Sequence, residues 1–192
     1  MSDDVGNARA RMQRAALELF REHGFDRTTA AQIAARAGVT ERTYFRHFAD
    51  KREVLFDGQE ILRGALTASI ADAPEGLAPL DAIFRAFHAV VPALEENRAF
   101  AVPRQEVIAT TPALQERELA KLAALANAVA EQLRSRGVPD LQATLASRIG
   151  MAAFAEAAIG WLEDPIIALG DRLDLAHEAL SSLVRKRPVA ER

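Results

Sequence analysis

The chain has 192 residues and a formal net charge of −3, and 49% of its residues are hydrophobic while 27% are charged. This composition supplies a packed core and excludes a disordered chain. The absence of cysteine excludes disulfides, Cys-ligated metal sites and thiol nucleophiles. Alanine, the best helix former, is abundant, and aromatic residues make up only 6% of the chain. We therefore expect an all-α protein.

The charged residues are distributed unevenly along the chain. Residues 9–52 carry ten basic and five acidic side chains, a net charge of +5, and the remainder carries −8. A basic module on an acidic body indicates a polyanionic partner at one end, although a merely uneven surface gives the same count. The acidic segment Met1–Asn7 shows no signal peptide, and the most apolar stretch, Ile149–Ile159, is too short to span a bilayer. These features predict a cytoplasmic protein without a membrane partner.

The first predicted helix has an apolar stripe at helical spacing. Gly24 ends this helix as a left-handed cap, and Phe25 is expected to fold back onto it. The stripe consists of Met12, Ala15, Ala16, Leu19 and Phe20.

Two short helices are predicted after the first. Either Thr28 or Thr29 is a suitable N-cap for the second helix, and Gly38 can form a turn with positive φ. Thr40 then caps a third helix over Glu41–Phe48. A longer helix followed by two short helices that are joined by a tight glycine turn predicts a helix-turn-helix motif.

The next three helices are predicted from their end signals. A capping box from Asp50 to Glu53 opens a fourth helix from about residue 51. Pro79 opens a fifth helix, which Pro92 is expected to kink or end. A short sixth helix is expected after Pro103.

Three longer helices complete the predicted total of about nine. The clearest of them opens at Thr111–Pro112 and closes at Gly137. The next extends over Asp140–Leu162 with Asp140 as its cap, and the last begins at Asp171 or Asp174 and ends at about residue 185. The apolar stripe of the first of these three helices consists of Leu119, Leu122, Ala126, Val129 and Leu133.

Between Gly24 and Leu55 the sequence reads G-F-x-x-T-T-x-x-x-I-A-x-x-A-G-V-T-x-x-T-Y-F-x-H-F-x-x-K-x-x-V-L. This pattern resembles the DNA-binding signature of the TetR/AcrR family of transcriptional regulators. The resemblance implies a helix-turn-helix DNA-binding domain over residues 8–52 and a helical effector-binding and dimerisation domain over residues 53–187, joined by the fourth helix. It also implies a homodimer that binds a palindromic operator in double-stranded DNA with its two third helices.

The resemblance places the DNA contacts on and around the third helix. Arg42 can form a bidentate contact with guanine, and Thr43 can contact a thymine methyl group or a phosphate. Glu41 can accept a hydrogen bond from cytosine or compensate the helix dipole. The family pattern Leu-Tyr is replaced by Tyr44-Phe45, so Tyr44 takes a buried position and Phe45 lacks a hydroxyl for the DNA. The predicted DNA-binding residues are Thr29, Thr40, Arg42, Thr43, Phe45, Arg46, His47 and Lys51, of which Thr29, Arg46, His47 and Lys51 are expected to hold phosphates.

The acidic body is expected to bind an effector and to form the dimer. The helix over residues 140–162 is apolar nearly all round in its second half, which indicates burial in its own domain and against a partner, or burial within a monomer. The resemblance implies a pocket between the fifth, seventh and eighth helices for a small, mostly apolar effector, and ordinary core packing is the alternative for each lining residue. The candidate lining residues are Phe84, Phe87, His88, Phe100, Met151, Phe154 and Trp161.

These expectations predict a sequence-specific, ligand-responsive repressor. The alternative is the same fold acting as an activator, or under the control of a protein partner without a small-molecule effector. An all-helical enzyme is a distant alternative, because Asp174 and His177 form one i, i+3 pair where a dimetal bundle needs two. The sequence contains no phosphate loop, nucleophile elbow or zinc pattern. We therefore predict no catalytic residue, no metal site and no cofactor.

Overall fold

The computed structural model describes residues 2–184, and the regular elements among them are nine α-helices and one 3-10 turn, Glu53–Leu55, with no strand. The all-α class and the number of helices are confirmed. In chain order the helices are α1 Ser2–His23, α2 Ala30–Arg36, α3 Glu41–His47, α4 Gln59–Ala71, α5 Pro79–Glu96, α6 Arg98–Ala109, α7 Pro112–Ser135, α8 Asp140–Glu163 and α9 Leu169–Val184.

The chain folds into two compact units. The first comprises the chain up to Ile61 together with Asn97–Leu122, and the second comprises Leu62–Glu96 and the chain from Ala123 onward. The predicted boundary between residues 52 and 53 does not coincide with this division. The reason is that the core around α1–α3 continues beyond residue 52 and takes side chains from α6 and α7. These later core residues are Val54, Leu55, Phe56, Val107, Ile108 and Leu114.

The first three helices form where their end signals predict. Gly24 has a φ of +81° directly after α1, and Gly38 has a φ of +68° between α2 and α3. Phe25 is buried, and its ring centroid lies 5.2 Å from that of Phe20. All five residues of the predicted α1 stripe are buried. The predicted cap, turn and apolar face of this segment are therefore confirmed.

Of the two candidate N-caps for α2, Thr29 is the one that caps the helix. Its hydroxyl accepts a hydrogen bond from the Gln32 amide at 3.2 Å, and the Gln32 side chain accepts one from the Thr29 amide at 2.8 Å, which completes a capping box. Thr28 is buried instead, with its hydroxyl 2.9 Å from the Gly24 carbonyl and 3.2 Å from the Leu19 carbonyl. Thr28 therefore ties the α1–α2 loop to the end of α1.

The expectation of a fourth helix from about residue 51 is wrong, because α4 begins at Gln59. The Asp50 carboxylate does accept hydrogen bonds from the amides of Arg52 at 2.7 Å and Glu53 at 3.2 Å, but only the 3-10 turn follows. The Glu53 carboxylate pairs with cations of α7 and does not complete a capping box. Gly58 then takes a φ of +92°, which separates the turn from α4.

Two prolines lie inside helices and do not end them. Helix α5 continues past Pro92 to Glu96, and α6 begins at Arg98 and contains Pro103. The predicted start of α6 after Pro103 is therefore wrong, and of the two alternatives for Pro92, a kink or an end of α5, the end is wrong. A proline removes one backbone donor, and the hydrogen bonds of the flanking turns sustain each helix on both sides.

Helix α7 closes before Gly137, whose φ is +84°, as predicted. Its predicted stripe is wrong at one position, because Leu119 is 67% exposed whereas Leu114 and Leu125 are buried. The two compact units divide this helix after Leu122. The buried residues of α7 therefore do not form a single stripe, because Leu114 packs in the first unit and Leu125 lies in the second.

The last two helices begin near the predicted residues. Pro139 stands at the N-cap of α8, and Asp140 lies in the first turn instead of capping it. Helix α9 begins at Leu169, before either predicted aspartate. The predicted end of α9, Arg185, lies outside the described residues.

In the second unit, α8 packs against α5 and α9. Gly150 permits a close approach to α5, since a Cβ atom at this position would lie 2.9 Å from Cγ2 of Ile83. By length and composition α8 as a whole is long and apolar enough to cross a membrane, although its most apolar stretch alone is not. The core helix of a water-soluble protein has the same properties, so this finding alone is weak evidence for a membrane span.

Candidate nucleic-acid interface

Helix α3 is held at its N-terminus by its own cap and by α1. The Thr40 hydroxyl accepts a hydrogen bond from the Thr43 amide at 3.1 Å, and the two hydroxyls lie 2.9 Å apart. In the turn before this cap, Arg11 of α1 donates through Nε to the Ala37 carbonyl at 3.0 Å. The start of α3 is therefore fixed both locally and through a long-range hydrogen bond.

One face of α3 is buried and the other is open. Tyr44 is fully buried, and its ring packs 5.3 Å from that of Phe48. The Tyr44 hydroxyl donates to the Asp50 carbonyl at 3.3 Å, which ties the end of α3 to the following loop. Burial first, and then the charges of Asp50 and Glu53, raise the pKa of Tyr44. The buried position predicted for Tyr44 is confirmed.

The open face of α3 carries five of the eight predicted DNA-binding residues. Phe45 is 51% exposed, and Thr40, Arg42 and Arg46 are also exposed, whereas Thr43 is half-buried. Neither Arg42 nor Arg46 makes a hydrogen bond or an ion pair with another residue in the described part of the chain. These guanidinium groups are therefore available to a ligand outside the protein.

Thr29 lies at the start of α2 and is exposed, but its hydroxyl already caps the helix. His47 is half-buried at the end of α3, and its Nε2 is buried without a hydrogen-bond partner. Burial, together with the charges of Arg46 and Arg9, lowers the pKa of His47, and Asp57 acts in the opposite direction. In this ring orientation Nε2 does not face a ligand outside the protein.

Lys51 has partners within the protein. Its ammonium donates to the carbonyls of Phe25 at 2.7 Å, Thr28 at 3.1 Å and Asp26 at 3.4 Å, and it lies 4.1 Å from the centroid of the Phe25 ring. The sequence prediction made Lys51 a phosphate contact. These backbone carbonyls are its contacts within the protein, and its phosphate contact stays a prediction.

A group of ion pairs around the 3-10 turn was not found from the sequence. Glu53 pairs with Arg117 at 2.5 Å and with Lys121 at 3.3 Å. Arg104 of α6 donates to the Leu55 carbonyl at 2.6 Å and pairs with Glu118 at 2.7 Å. No local pattern could reveal these partners, because they are far apart in the chain. Arg104 lies 49 residues after Leu55, and Arg117 lies 64 residues after Glu53.

The predicted pocket residues do not form one group within either unit. Phe100 belongs to the first unit, where it packs against the core. The other six belong to the second unit, and all of them except His88 are buried. Phe87 packs 4.8 Å from Phe154, and Phe84 stacks 4.2 Å from the ring of His177.

Helices α5 and α9 are joined by two histidine–aspartate contacts. His88 Nε2 lies 2.9 Å from an Asp174 carboxylate oxygen, and His177 Nε2 lies 3.0 Å from one of Asp81. Asp174 and His177, the one i, i+3 pair noted in the sequence, therefore bind different residues of α5. Within residues 2–184 no group of three or more side chains is arranged to hold a metal ion.

Several large apolar side chains remain exposed on α8 and α9. They recur at helical spacing on α8, opposite the side that is buried in the unit. Apolar stripes of this kind mark surfaces that bind another protein or a membrane. The exposed residues are Leu141, Leu145, Ile149, Ile159, Leu175 and Leu183.

A basic segment with a capped third helix, whose outward face presents arginine and threonine, is the arrangement of a helix-turn-helix DNA-binding protein. Comparison with known families agrees. The model of bacterial regulatory proteins of the tetR family matches residues 14–57, and the model of the MftR C-terminal domain matches residues 77–188. The chain belongs to the TetR family of transcriptional regulators, as the sequence pattern indicated.

Individual relatives are regulators of the same kind. The transcriptional regulator TcmR of Streptomyces glaucescens is 31% identical over 152 residues, which is 76% of this chain and 67% of TcmR. The putative mycofactocin biosynthesis regulator MftR of Mycobacterium tuberculosis is 24% identical over 174 residues, 87% of this chain and 86% of MftR. Thermus thermophilus FadR, a repressor solved with lauroyl-CoA, is 27% identical with a TM-score of 0.56, covering 96% of this chain and 100% of FadR. These relatives are transcriptional regulators and not enzymes.

Proposed function

We propose that this DNA-binding regulator is a cytoplasmic, ligand-responsive repressor that binds a palindromic operator as a homodimer. The observation that carries the proposal is the outward face of α3, where Arg42 and Arg46 are exposed and have no partner within residues 2–184. A recognition helix needs uncommitted donors at the surface that enters the major groove.

The side chains on this face divide into two proposed roles. Arg42 reads guanine through a bidentate contact worth about 1–3 kcal/mol of discrimination, and Thr40, Thr43 and Phe45 contact neighbouring bases or sugars. Arg46 contacts a phosphate, as do the predicted phosphate residues at the margins of the helix, Thr29 and His47. Phe45 offers apolar contact, for example with a thymine methyl group.

The proposed dimer uses the exposed apolar stripe of α8 and α9. A second copy that places the same stripe against it would form an isologous four-helix interface and bury these side chains without a membrane. In such a dimer the two recognition helices are expected to lie about 34–36 Å apart, one turn of DNA. Light scattering of the purified protein tests the proposed dimer, and a strictly monomeric protein would contradict it.

The proposed effector binds in the second unit and is small and mostly apolar. Support comes from the aromatic residues of α5 and α8 and from the lauroyl-CoA bound by the related FadR. Because α4 and α7 each contribute residues to both units, a shift of either helix reaches the DNA-binding segment through the chain. A coupling of about 1–3 kcal/mol would weaken operator binding about 5- to 150-fold.

The proposed operator is identified by selecting bound sequences from random duplex DNA with the purified protein. We expect a palindrome. Arg42→Ala should relax the preference at one base position in each half-site, whereas Arg46→Ala should weaken binding to all sequences alike. Selection without any sequence preference would refute the proposed operator recognition.

A second candidate is a regulator without a small-molecule effector. It is favoured by the close ring contacts of Phe84, Phe87 and Phe154, which are typical of a filled core. Titration of the operator complex with acyl-CoA thioesters and other apolar ligands distinguishes the two candidates. Release of the DNA by any of them supports the repressor with an effector, and the second candidate predicts no release.

A further inference from the structure

Helix α4 ends without the glycine cap that closes other helices of this chain. Gly24 and Gly137, both with positive φ, close α1 and α7. Helix α4 ends at Ala71, and none of residues 72–75 has a positive φ. The last four carbonyl oxygens of an α-helix have no partner within the helix. Those of α4 must therefore be satisfied in another way.

Arginine side chains from outside α4 complete the hydrogen bonding of these four oxygens. Amides that follow the helix satisfy two of them. The Ser69 carbonyl accepts a hydrogen bond from Nη1 of Arg85 in α5 at 2.8 Å. The Ala71 carbonyl accepts one from Nη1 of Arg136 at 3.0 Å. The end of α4 is therefore bound by two residues that are distant in the sequence.

Arg136 also holds the turn that follows α4. Its Nη1 donates to the Ala73 carbonyl and its Nη2 to the Pro74 carbonyl, each at 2.7 Å. Arg136 lies in the corner between α7 and α8, 62 to 65 residues after the carbonyls that it binds. A cation at the C-terminus of a helix also interacts favourably with the helix dipole. We call Arg85 and Arg136 the arginine clamp.

The arginine clamp acts at one end of a helix that belongs to both units. The two arginines and the carbonyls that they bind lie in the second unit, whereas α4 begins at Gln59 in the first. A helix is a rigid element, so a constraint at one of its ends is felt at the other. Fixing the second-unit end of α4 therefore limits how freely its first-unit end can move.

We infer that the arginine clamp is a positioning device for operator recognition, which restricts the separation of the two recognition helices and thereby the spacing of half-sites that the protein accepts. The inference rests on the proposed homodimer and palindromic operator. A dimer reads two half-sites when its recognition helices lie one turn of DNA apart. A loosely held α4 would allow many separations, and the order lost in this way would have to be restored on binding. Both arginines act through α4 and not by contact with DNA.

The spacing of the operator half-sites tests this restriction. The probes are the duplex recovered from the selection, the same duplex with two base pairs inserted at its centre, and a duplex of unrelated sequence. The wild type should bind the inserted duplex far more weakly than the selected one, because the insertion moves the half-sites out of register. For Arg136→Met we expect the ratio of these two affinities to fall on the order of tenfold, with unchanged binding to the unrelated duplex. An unchanged ratio would overturn the inference even if every affinity declined.

Arg134→Met is the matched control. Arg134 lies two residues before Arg136, but its side chain pairs with Asp140 at 2.5 Å and donates to Thr144 at 2.9 Å, both in α8. This variant should keep the wild-type ratio. An equal fall in Arg134→Met would assign the effect to the corner between α7 and α8 as a whole, and the inference would then be wrong.

Arg85→Met provides a second variant of the clamp. It removes the partner of one carbonyl of α4 and leaves the three contacts of Arg136 in place. The affinity ratio should fall in the same direction as in Arg136→Met, but by less. If Arg136→Met is unfolded by circular dichroism, Arg85→Met decides the question, and a wild-type ratio in this variant would overturn the inference.

Hydrogen exchange without DNA separates this inference from the proposed function. In Arg136→Met the amides of residues 68–77 should exchange faster than in the wild type, whereas those of α1 should be unchanged. Unchanged exchange at the end of α4 would refute the clamp even if the protein binds no DNA. A wild-type protein without any preference for half-site spacing would contradict the proposed operator recognition. A spacing preference that Arg136→Met retains in full would contradict the inference alone.

Discussion

Replacing Glu53 with glutamine should destabilise the first unit while leaving the second unchanged. The Glu53 side chain is only 20% exposed, and its partners Arg117 and Lys121 are 35% and 20% exposed. Such a pair lies between surface pairs, worth about 0–1 kcal/mol, and buried pairs, whose disruption costs about 3–5 kcal/mol. We therefore expect a loss of about 2 kcal/mol, which lowers the Tm of a unit of this size by on the order of 10 °C.

The chain contains a separate optical probe for each unit. Its one tyrosine, Tyr44, is buried in the first unit, and its one tryptophan, Trp161, is buried in the second. Thermal unfolding followed in the near-ultraviolet through each ring should show an earlier tyrosine transition in Glu53→Gln and an unchanged tryptophan transition. Glu116→Gln, which removes an exposed carboxylate from α7, is the matched control and should shift neither transition.

The stability difference between the wild type and Glu53→Gln should depend on pH. Burial acts to raise the pKa of Glu53, but hydrogen bonds and charges from Arg117 and Lys121 outweigh it, so the folded-state pKa lies below the ordinary 4.5. A carboxyl group with a lowered pKa stabilises the fold above its unfolded-state pKa, and this contribution is lost as the pH falls through its folded-state pKa. The deficit of Glu53→Gln should be complete at neutral pH and should shrink as the pH falls below 4.5. A deficit that persists undiminished in acid, or none at neutral pH, would refute the ion-pair assignment.

Two further predictions concern the pH dependence of the first unit and the two glycines at and inside the start of α4. The lowered pKa of His47 means that the first unit should lose stability as the pH falls below the ordinary value of 6.5, because the unfolded chain takes up a proton more readily. His47→Gln should flatten that part of the pH profile of the tyrosine transition. Gly58→Ala should cost about 1 kcal/mol because of the φ of +92°, whereas Gly64→Ala, inside α4 with open space around the new Cβ, should stabilise by about 1 kcal/mol. Equal effects of the two alanine variants in urea unfolding would show that backbone conformation does not decide them.

The elements that could be predicted from the sequence are those whose signals are local. Gly24, Thr29 and Gly38 act within a few residues of their own positions, so the ends of α1, α2 and α3 follow from the pattern. The start of α4 could not be predicted, because the Asp50 carboxylate accepts hydrogen bonds from the amides of Arg52 and Glu53 without an α-helix following it. The outcome is decided by Gly58 and by the distant cations that bind Glu53.

The same distinction applies to the candidate interface. The outward position of Phe45 and the buried position of Tyr44 follow from their places in a short amphipathic helix. The partners of Lys51 could not be predicted, because they lie 23 to 26 residues earlier in the chain. A cationic side chain beside a recognition helix looks alike in sequence whether its donors face DNA or the protein, and only the fold separates the two cases.

The number of cations that face DNA, as opposed to those that contact the protein itself, sets the expected salt dependence of DNA binding. Most of the ten basic residues between positions 9 and 52 are already used, in ion pairs or on backbone carbonyls. Arg42 and Arg46 have no partner within residues 2–184, and Arg14 is exposed with no ion pair there, whereas Arg27 donates to the His23 carbonyl at 2.8 Å. With Arg42 reading a base, one or two phosphate contacts per protomer, from Arg46 and Arg14, predict a slope of log K against log salt of about −2 to −4 for a dimer, whereas counting all ten would predict about −18. A measured slope steeper than about −10 would mean that the paired cations are released when DNA binds, and the division into cations that face DNA and cations that contact the protein would then be wrong.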